Sequence, residues 1–260
     1  MEACSMREQL AAFSSWRFEP ARWSVYRRVL VMARERGIPF AIGGGTATMV
    51  YAGRPRQSKD LDLFVTRDDR ERIIQVTSDC GLRDLYNEQP YDRAWIYRAH
   101  DGANIIDIIW AMANQRAPVD RTWLENGPEM TLEDLRLPLV PPEEILWAKL
   151  YILQRDRCDW PDALNILYVL GPELNWDRLL TRLGPDAPLL AGLLSVFTWL
   201  CPARARELPA SLWRELKMGS GAPNPHPASG QPRADLLDSR SWFRPATPED
   251  ATPTPALRNC

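Results

Sequence analysis

Two periods of apolar residues alternate along the first half of the chain. Residues 24–36, SVYRRVLVMARER, carry Val25, Val29, Leu30 and Met32 at helical spacing, and Gly37 closes the pattern. PFAIGGG follows as a short apolar strand running into a glycine turn, and Thr46 to Tyr51 read as a helix that begins once the turn ends. Residues 60–65, DLDLFV, alternate polar and apolar, as a strand with one buried face does. DDRERIIQVTSDCG at 68–81 opens with acids, which suit the positive end of a helix, and closes on Gly81. RAWIYRAHDGANIIDIIWAM then sets two apolar runs around Asp101-Gly102, a hairpin signal. Strand, helix, strand, helix and hairpin in this order predict an α+β protein, a small mixed β-sheet with helices on it.

From about Pro141 the period is helical throughout. PPEEILWAKLYILQRDR, WPDALNILYVLG, NWDRLLTRLG and APLLAGLLSVFTWLC are separated by Gly or Pro. The expected organisation is a sheet-bearing domain over 1–138, a helical domain over 139–218 and a disordered tail over 219–260. The tail is dense in Pro, Ser, Gly and Ala and has too little apolar surface to order itself. Trp242 and Phe243 within it read as a stray aromatic pair or a docking spot. The longest apolar run, 189–201, lies between Pro188 and Pro202; it is too short for a membrane span and reads as a buried helix.

Composition narrows the chemistry. A chain of 260 residues can bury a proper core, and its formal charge of −2 provides no global field for nucleic acid, so any polyanion must meet a local basic patch. The five cysteines show no CxxC spacing, and the two histidines, His100 and His226, are far apart; both facts argue against zinc and histidine chemistry. The cations are nearly all arginine, so Lys149 inside an apolar pattern stands out. MEACSMREQLAAF lacks the apolar centre of a signal peptide, and the expectation is a cytoplasmic protein with no membrane partner.

The candidate chemistry begins with Asp60 and Asp62. Two apart on a strand, they project from one face while Leu61 and Leu63 enter the core. Neighbouring carboxylates repel, and Mg²⁺ or Mn²⁺ would relieve the conflict; a solvated strand face would also tolerate them. Asp107 interrupts the apolar strand NIIDIIW, where a lone carboxylate costs several kcal/mol unless paired or metal-bound. Should its strand lie beside 60–65, the three acids form a ligand set for two metal ions. The alternative is an ion pair between Asp107 and an arginine such as Arg98. Gly43, Gly44 and Gly45 between a strand and a helix start suit a phosphate, which can approach their backbone and the helix amides. Thr46 would either touch the phosphate or cap the helix.

A glycine pair, a short helix, GRPRQSKDLDLFV with its DxD and a later lone Asp on a strand resemble the DNA polymerase β-type nucleotidyltransferases. The closest resemblance is to minimal bacterial members, including toxins of the abortive-infection type. It maps onto Ile42, Gly44, Gly45, Asp60, Asp62 and Asp107, with Arg56, Ser58 and Lys59 in the segment before the DxD. It also takes in Lys149, Arg155, Arg157, Asp159 and Asp162 in the second half. The resemblance implies transfer of a nucleoside monophosphate from an NTP such as ATP to a hydroxyl acceptor, with release of pyrophosphate. Asp60, Asp62 and Asp107 would hold the metal and carry catalysis. Gly44, Gly45, Thr46, Arg56, Ser58 and Lys149 would bind the nucleotide, Lys149 through the triphosphate unless it merely snorkels from its helix. RNA or tRNA, a protein or a small molecule would serve as acceptor, and a toxin would have an antitoxin partner. Two other classes compete. A DxD also marks metal-dependent glycosyltransferases, but there the apolar run precedes the carboxylates, whereas here Leu63, Phe64 and Val65 follow them. A nucleotide-binding pseudoenzyme or regulatory partner would keep the fold without turnover.

Overall fold

The computed structural model describes Leu10 and residues 18–54, 58–153 and 157–217. The expected tail, with Trp242 and Phe243, and the site candidates Arg56 and Arg155 lie outside the described residues.

The strands Ala41–Ile42 (β1), Asp60–Phe64 (β2), Arg83–Asp84 (β3), Ile96–His100 (β4) and Ile105–Ile109 (β5) form one mixed sheet in the order β1-β2-β5-β4-β3. β2 and β5 run parallel, and the other neighbours are antiparallel. Leu61 and Leu63 on β2, with Ile106 and Ile108 on β5, point into the core and are almost fully buried. A parallel pair needs a crossover. Here it is supplied by helix Arg70–Asp79, β3 and β4. The β4–β5 hairpin turns where expected: the Asp101 carboxylate accepts from the backbone of Ala103 at 3.0 Å and Asn104 at 2.8 Å, and Gly102 takes φ +96°.

Helix α1 (Pro20–Glu35) starts earlier than its apolar spacing suggests, because Pro20 is preset for the first helical turn. It buries Trp23, Tyr26, Val29, Leu30 and Ala33. Helix α2 (Gly44–Ala52) also starts early, so Gly44 and Gly45 belong to its first turn rather than to a preceding loop. Thr46 through Ala52 are all buried, as in a helix enclosed on every side. Gly53 ends it at φ +60°.

After helix α3 (Arg70–Asp79) and helix α4 (Arg121–Glu125), a second hairpin forms from β6 (Glu129–Leu132) and β7 (Leu135–Pro138). Met130, Leu132, Leu135 and Leu137 are buried on its inner face. Its alternation was legible, but Pro128 and Pro138 argue against strands and the turn at Glu133, with φ +53°, has no glycine.

The helical part comprises α5 (Pro142–Leu150), α6 (Trp160–Leu170), α7 (Trp176–Leu183), α8 (Ala187–Leu200), α9 (Pro202–Ala205) and α10 (Ala210–Glu215). α5 stops at Leu150, well short of the expected 141–157. The Trp160 indole donates to the Leu150 carbonyl at 3.1 Å, and the Asp159 amide donates to Ile152 at 2.9 Å, so the chain turns back on itself. Trp176–Leu200 is the one stretch among the described residues long and apolar enough to cross a bilayer. Gly184, at φ +51°, and Pro185 interrupt it, and α8 buries Leu190, Leu193, Leu194, Phe197 and Leu200. α2 lies between the sheet and the helices, packing on β2, α5 and α6. Tyr51 at its end donates to the Val140 carbonyl at 2.6 Å, and the Val140 amide donates to Ile42 at 2.9 Å. One apolar core therefore runs from Phe18 to Trp213.

Candidate active site

The parallel register sets Asp62 directly beside Asp107, with Asp60 opposite Ile105. β4 brings Arg98 opposite Asp107 on its other side. Three acids and one guanidinium thus meet on one face of the sheet. Asp107 is paired with Arg98 in this structure: Arg98 Nε donates to its Oδ1 at 2.8 Å, and Arg98 Nη2 lies 3.8 Å from Asp60 Oδ2. Burial holds the Asp107 carboxyl above the usual range, outweighing the downward pull of Arg98. Loss of water, together with the charges of Asp60 and Asp107, pushes Asp62 up to about 7, against the weaker pull of the Gly45 amide and Lys149.

The glycine turn is built around Asp62. The Gly43 amide donates to the Asp62 carbonyl at 3.0 Å and the Gly45 amide to its Oδ2 at 3.3 Å. Gly44 takes φ +51°, and a Cβ there would lie 1.8 Å from Asp62 Oδ2. This position requires glycine twice over, for its backbone and for the carboxylate beside it. Thr46 is 1 % exposed, its Oγ1 has no hydrogen-bond partner, and the residue at the helix cap is Gly43, so Thr46 does not cap. A buried hydroxyl without a partner, at a helix N-terminus, is what an incoming anion would satisfy. Ser58 closes the other side: its hydroxyl donates to Asp60 Oδ1 at 3.3 Å, and its carbonyl accepts from Arg22 of α1.

The helical part contributes cations. Lys149 does not snorkel; its Nζ donates to Asp159 Oδ2 and Asp162 Oδ2, each at 2.9 Å, and its side chain is nearly buried. Arg157 Nε donates to Asp159 Oδ1 at 3.2 Å, and its charge interacts with Asp62 and Asp60. Burial pushes the Asp159 carboxyl up, but Lys149 and Arg157 outweigh it and hold the group low. Arg54 turns to Asn165 at 3.3 Å.

Hard carboxylate oxygens on adjacent strands beside an anion-ready helix end are the right donors for Mg²⁺ or Mn²⁺. Among the described residues, no three His, Cys, Asp or Glu side chains are gathered closely enough to hold an ion as they stand. The guanidinium of Arg98 is bonded to Asp107 and lies near Asp60. The donor set fits, with Asp60 and Asp62 as the members whose carboxylates are not drawn directly into that 2.8 Å pair.

Two participants escaped the sequence reading. Arg22 and Tyr26 lie one helical turn apart on α1; Arg22 donates to the Ser58 carbonyl, and Tyr26 interacts with the charges of Asp60, Asp62 and Asp107. Tyr26 is fully buried with its hydroxyl unpartnered; burial, opposed by Arg22 and reinforced by the three aspartates, raises its pKa. Their only local signal is the i, i+4 spacing, which by itself does not distinguish a site from a core.

The family model described as "Nucleotidyl transferase AbiEii toxin, Type IV TA system" matches residues 28–160. That half of the chain includes the glycine turn, all three aspartates and Lys149. The chain belongs to this family, and it is a nucleotidyltransferase. No curated protein matches it. Solved structures similar to it include the antibiotic-resistance factor ANT(2'')-Ia, with a TM-score of 0.45 and 20% identity over 65% of this chain and 93% of that one. The lincosamide antibiotic adenylyltransferase LnuA has a TM-score of 0.42 and 16% identity over 59% of this chain and 99% of its own. JHP933 from Helicobacter pylori gives 0.38 and 16%, over 68% and 79% respectively.

Proposed function

We propose that this chain moves a nucleoside monophosphate from an NTP to a hydroxyl acceptor in a metal-dependent reaction and serves as the toxin of a two-component system in the cytoplasm. The observation that carries the reading is the parallel β2–β5 register, with Asp62 beside Asp107 and the Gly45 amide on the Asp62 carboxylate.

Asp60 and Asp62 would hold the divalent ion, with Asp107 as the third ligand. Such an ion, when bound, neutralises charge on the transferred phosphate and steadies the leaving pyrophosphate. The chain's own residues supply the rest. The first-turn amides of α2 and the unpartnered Thr46 hydroxyl bind phosphate oxygens. Ser58, braced by Arg22, orients Asp60 through its hydrogen bond. Lys149 and Arg157 direct positive potential toward the acids and so favour a polyphosphate between the two lobes. Asp107 would take the proton from the acceptor hydroxyl as that oxygen attacks the α-phosphorus. Catalysis rests on positioning and charge neutralisation. The acceptor is an RNA or tRNA end, a protein hydroxyl or a small molecule, and an antitoxin restrains the activity.

The Arg98–Asp107 pair favours a second reading, a nucleotide-binding regulator that does not turn over. Incubating α-labelled NTPs with cell lysate and Mg²⁺ or Mn²⁺ separates the two. The transferase labels RNA, protein or a small molecule and releases pyrophosphate, and Asp62→Asn does neither. Nucleotide binding without label transfer from any of the four NTPs would leave only the regulator.

A further inference from the structure

Among the described residues, Arg98 is the guanidinium that the sheet itself inserts among the acids. Its register with Asp107 is fixed by the antiparallel β4–β5 ladder, so the contact is not the chance meeting of two mobile side chains. The bond to Asp107 is 2.8 Å long, the carboxylate is only 7% exposed, and the fork also faces Asp60 at 3.8 Å. A buried carboxylate that loses such a partner is left uncompensated, which is strongly destabilising. A divalent ion and a guanidinium therefore compete for the same oxygens.

We propose that Arg98 is the resident counter-ion of Asp107 and Asp60, a positioning residue that the divalent ion must displace, and that a bound triphosphate assists by offering the guanidinium another anion. This inference rests on the metal-dependent reading above. It carries a directional consequence. Removing a residue that merely supports the sheet weakens ion binding, whereas removing a competitor strengthens it. The triphosphate brings several negative charges to the same face of the sheet, where the Arg98 side chain is 27% exposed. Ion and nucleotide would then bind with positive coupling, each favouring the state in which Arg98 has left Asp107.

The test is Mn²⁺ binding to the full chain, measured by the loss of the free-ion electron paramagnetic resonance signal, with and without a non-hydrolysable NTP. Arg98→Met should bind Mn²⁺ about tenfold more tightly than wild type without nucleotide, the size of one lost charge-assisted hydrogen bond. With nucleotide the two proteins should converge. Arg98→Lys, which keeps the charge but not the fork, should fall between them, and it provides a folded comparison should Arg98→Met be unstable. Chelator should lower the melting temperature of Arg98→Met more than that of wild type, and Mn²⁺ should restore it. Equal or weaker Mn²⁺ binding by both variants, with normal binding by wild type, would overturn the role of Arg98 and leave the metal reading intact. A gain that persists unchanged with nucleotide would overturn the coupling. Absence of Mn²⁺ binding in every protein, nucleotide present or not, would sink the metal reading and this inference with it.

Discussion

The strand pair β2–β5 and the helix pair α5–α6 both bury charge, and they balance it differently. Around α5 and α6, Lys149 donates to Asp159 and Asp162, both at 2.9 Å, and Arg157 also donates to Asp159. On the strands, three acids share Arg98. The helix cluster ties α5 to the start of α6. Among the described residues, the strand cluster has more acids than cations bonded to them, which burial makes expensive and which a bound cation would relieve. A buried charge that is matched holds a structure together; one that is left unmatched marks a place for a ligand.

The comparison breaks most sharply by substitution. Asp62→Asn should reduce transfer by at least about 10³-fold, since several kcal/mol of transition-state stabilisation depend on the metal ligands. The same change should leave thermal stability without divalent ions unchanged or higher, because it removes an uncompensated charge. Lys149→Met should do the reverse to stability. It removes the cation shared by Asp159 and Asp162 and should cost about 3–5 kcal/mol in a urea titration. Were Lys149→Met neutral and Asp62→Asn destabilising, the contrast between the clusters would be wrong.

Gly44→Ala is next in size. With φ +51° and Asp62 Oδ2 1.8 Å from the added carbon, it should cost about 3 kcal/mol and displace the carboxylate that accepts from Gly45. Gly45→Ala, with only the Ser58 hydroxyl at 3.1 Å, should be milder. Melting temperatures of the two variants, measured side by side, check the order.

The smallest effect is one of pH. The Asp62 carboxyl is pushed up to about 7 in the folded chain, by loss of water first and by Asp60 and Asp107 next. A carboxyl that binds its proton more tightly when folded adds stability at low pH. That contribution is lost as pH rises from the ordinary carboxylate range through about 7. In chelator, wild type should therefore lose stability relative to Asp62→Asn across this window, and Mg²⁺ should flatten the difference. Parallel pH profiles for the two proteins would show that Asp62 carries no such strain.

Much of this was legible in the chain. The period-2 alternation of DLDLFV assigned Asp60 and Asp62 to one face, with Leu61 and Leu63 on the other, and β2 follows it. The hairpin at Asp101-Gly102 and the four main helices of the second half also follow local pattern and turn chemistry. The β6–β7 hairpin was hidden by its prolines, and the end of α5 by contacts from Trp160 and Asp159 that lie beyond the helix itself.

What the sequence determined by itself is which face of each segment is apolar and where each turn falls, because those depend on neighbours within a few residues. Only the tertiary structure decided that β5 lies parallel to β2 with Asp107 beside Asp62, that Arg98 sits opposite that same acid, and that Lys149 is claimed by two aspartates. Strand partners and ion pairs join residues far apart in the chain, and alternation fixes a side chain's face without naming the strand that will meet it.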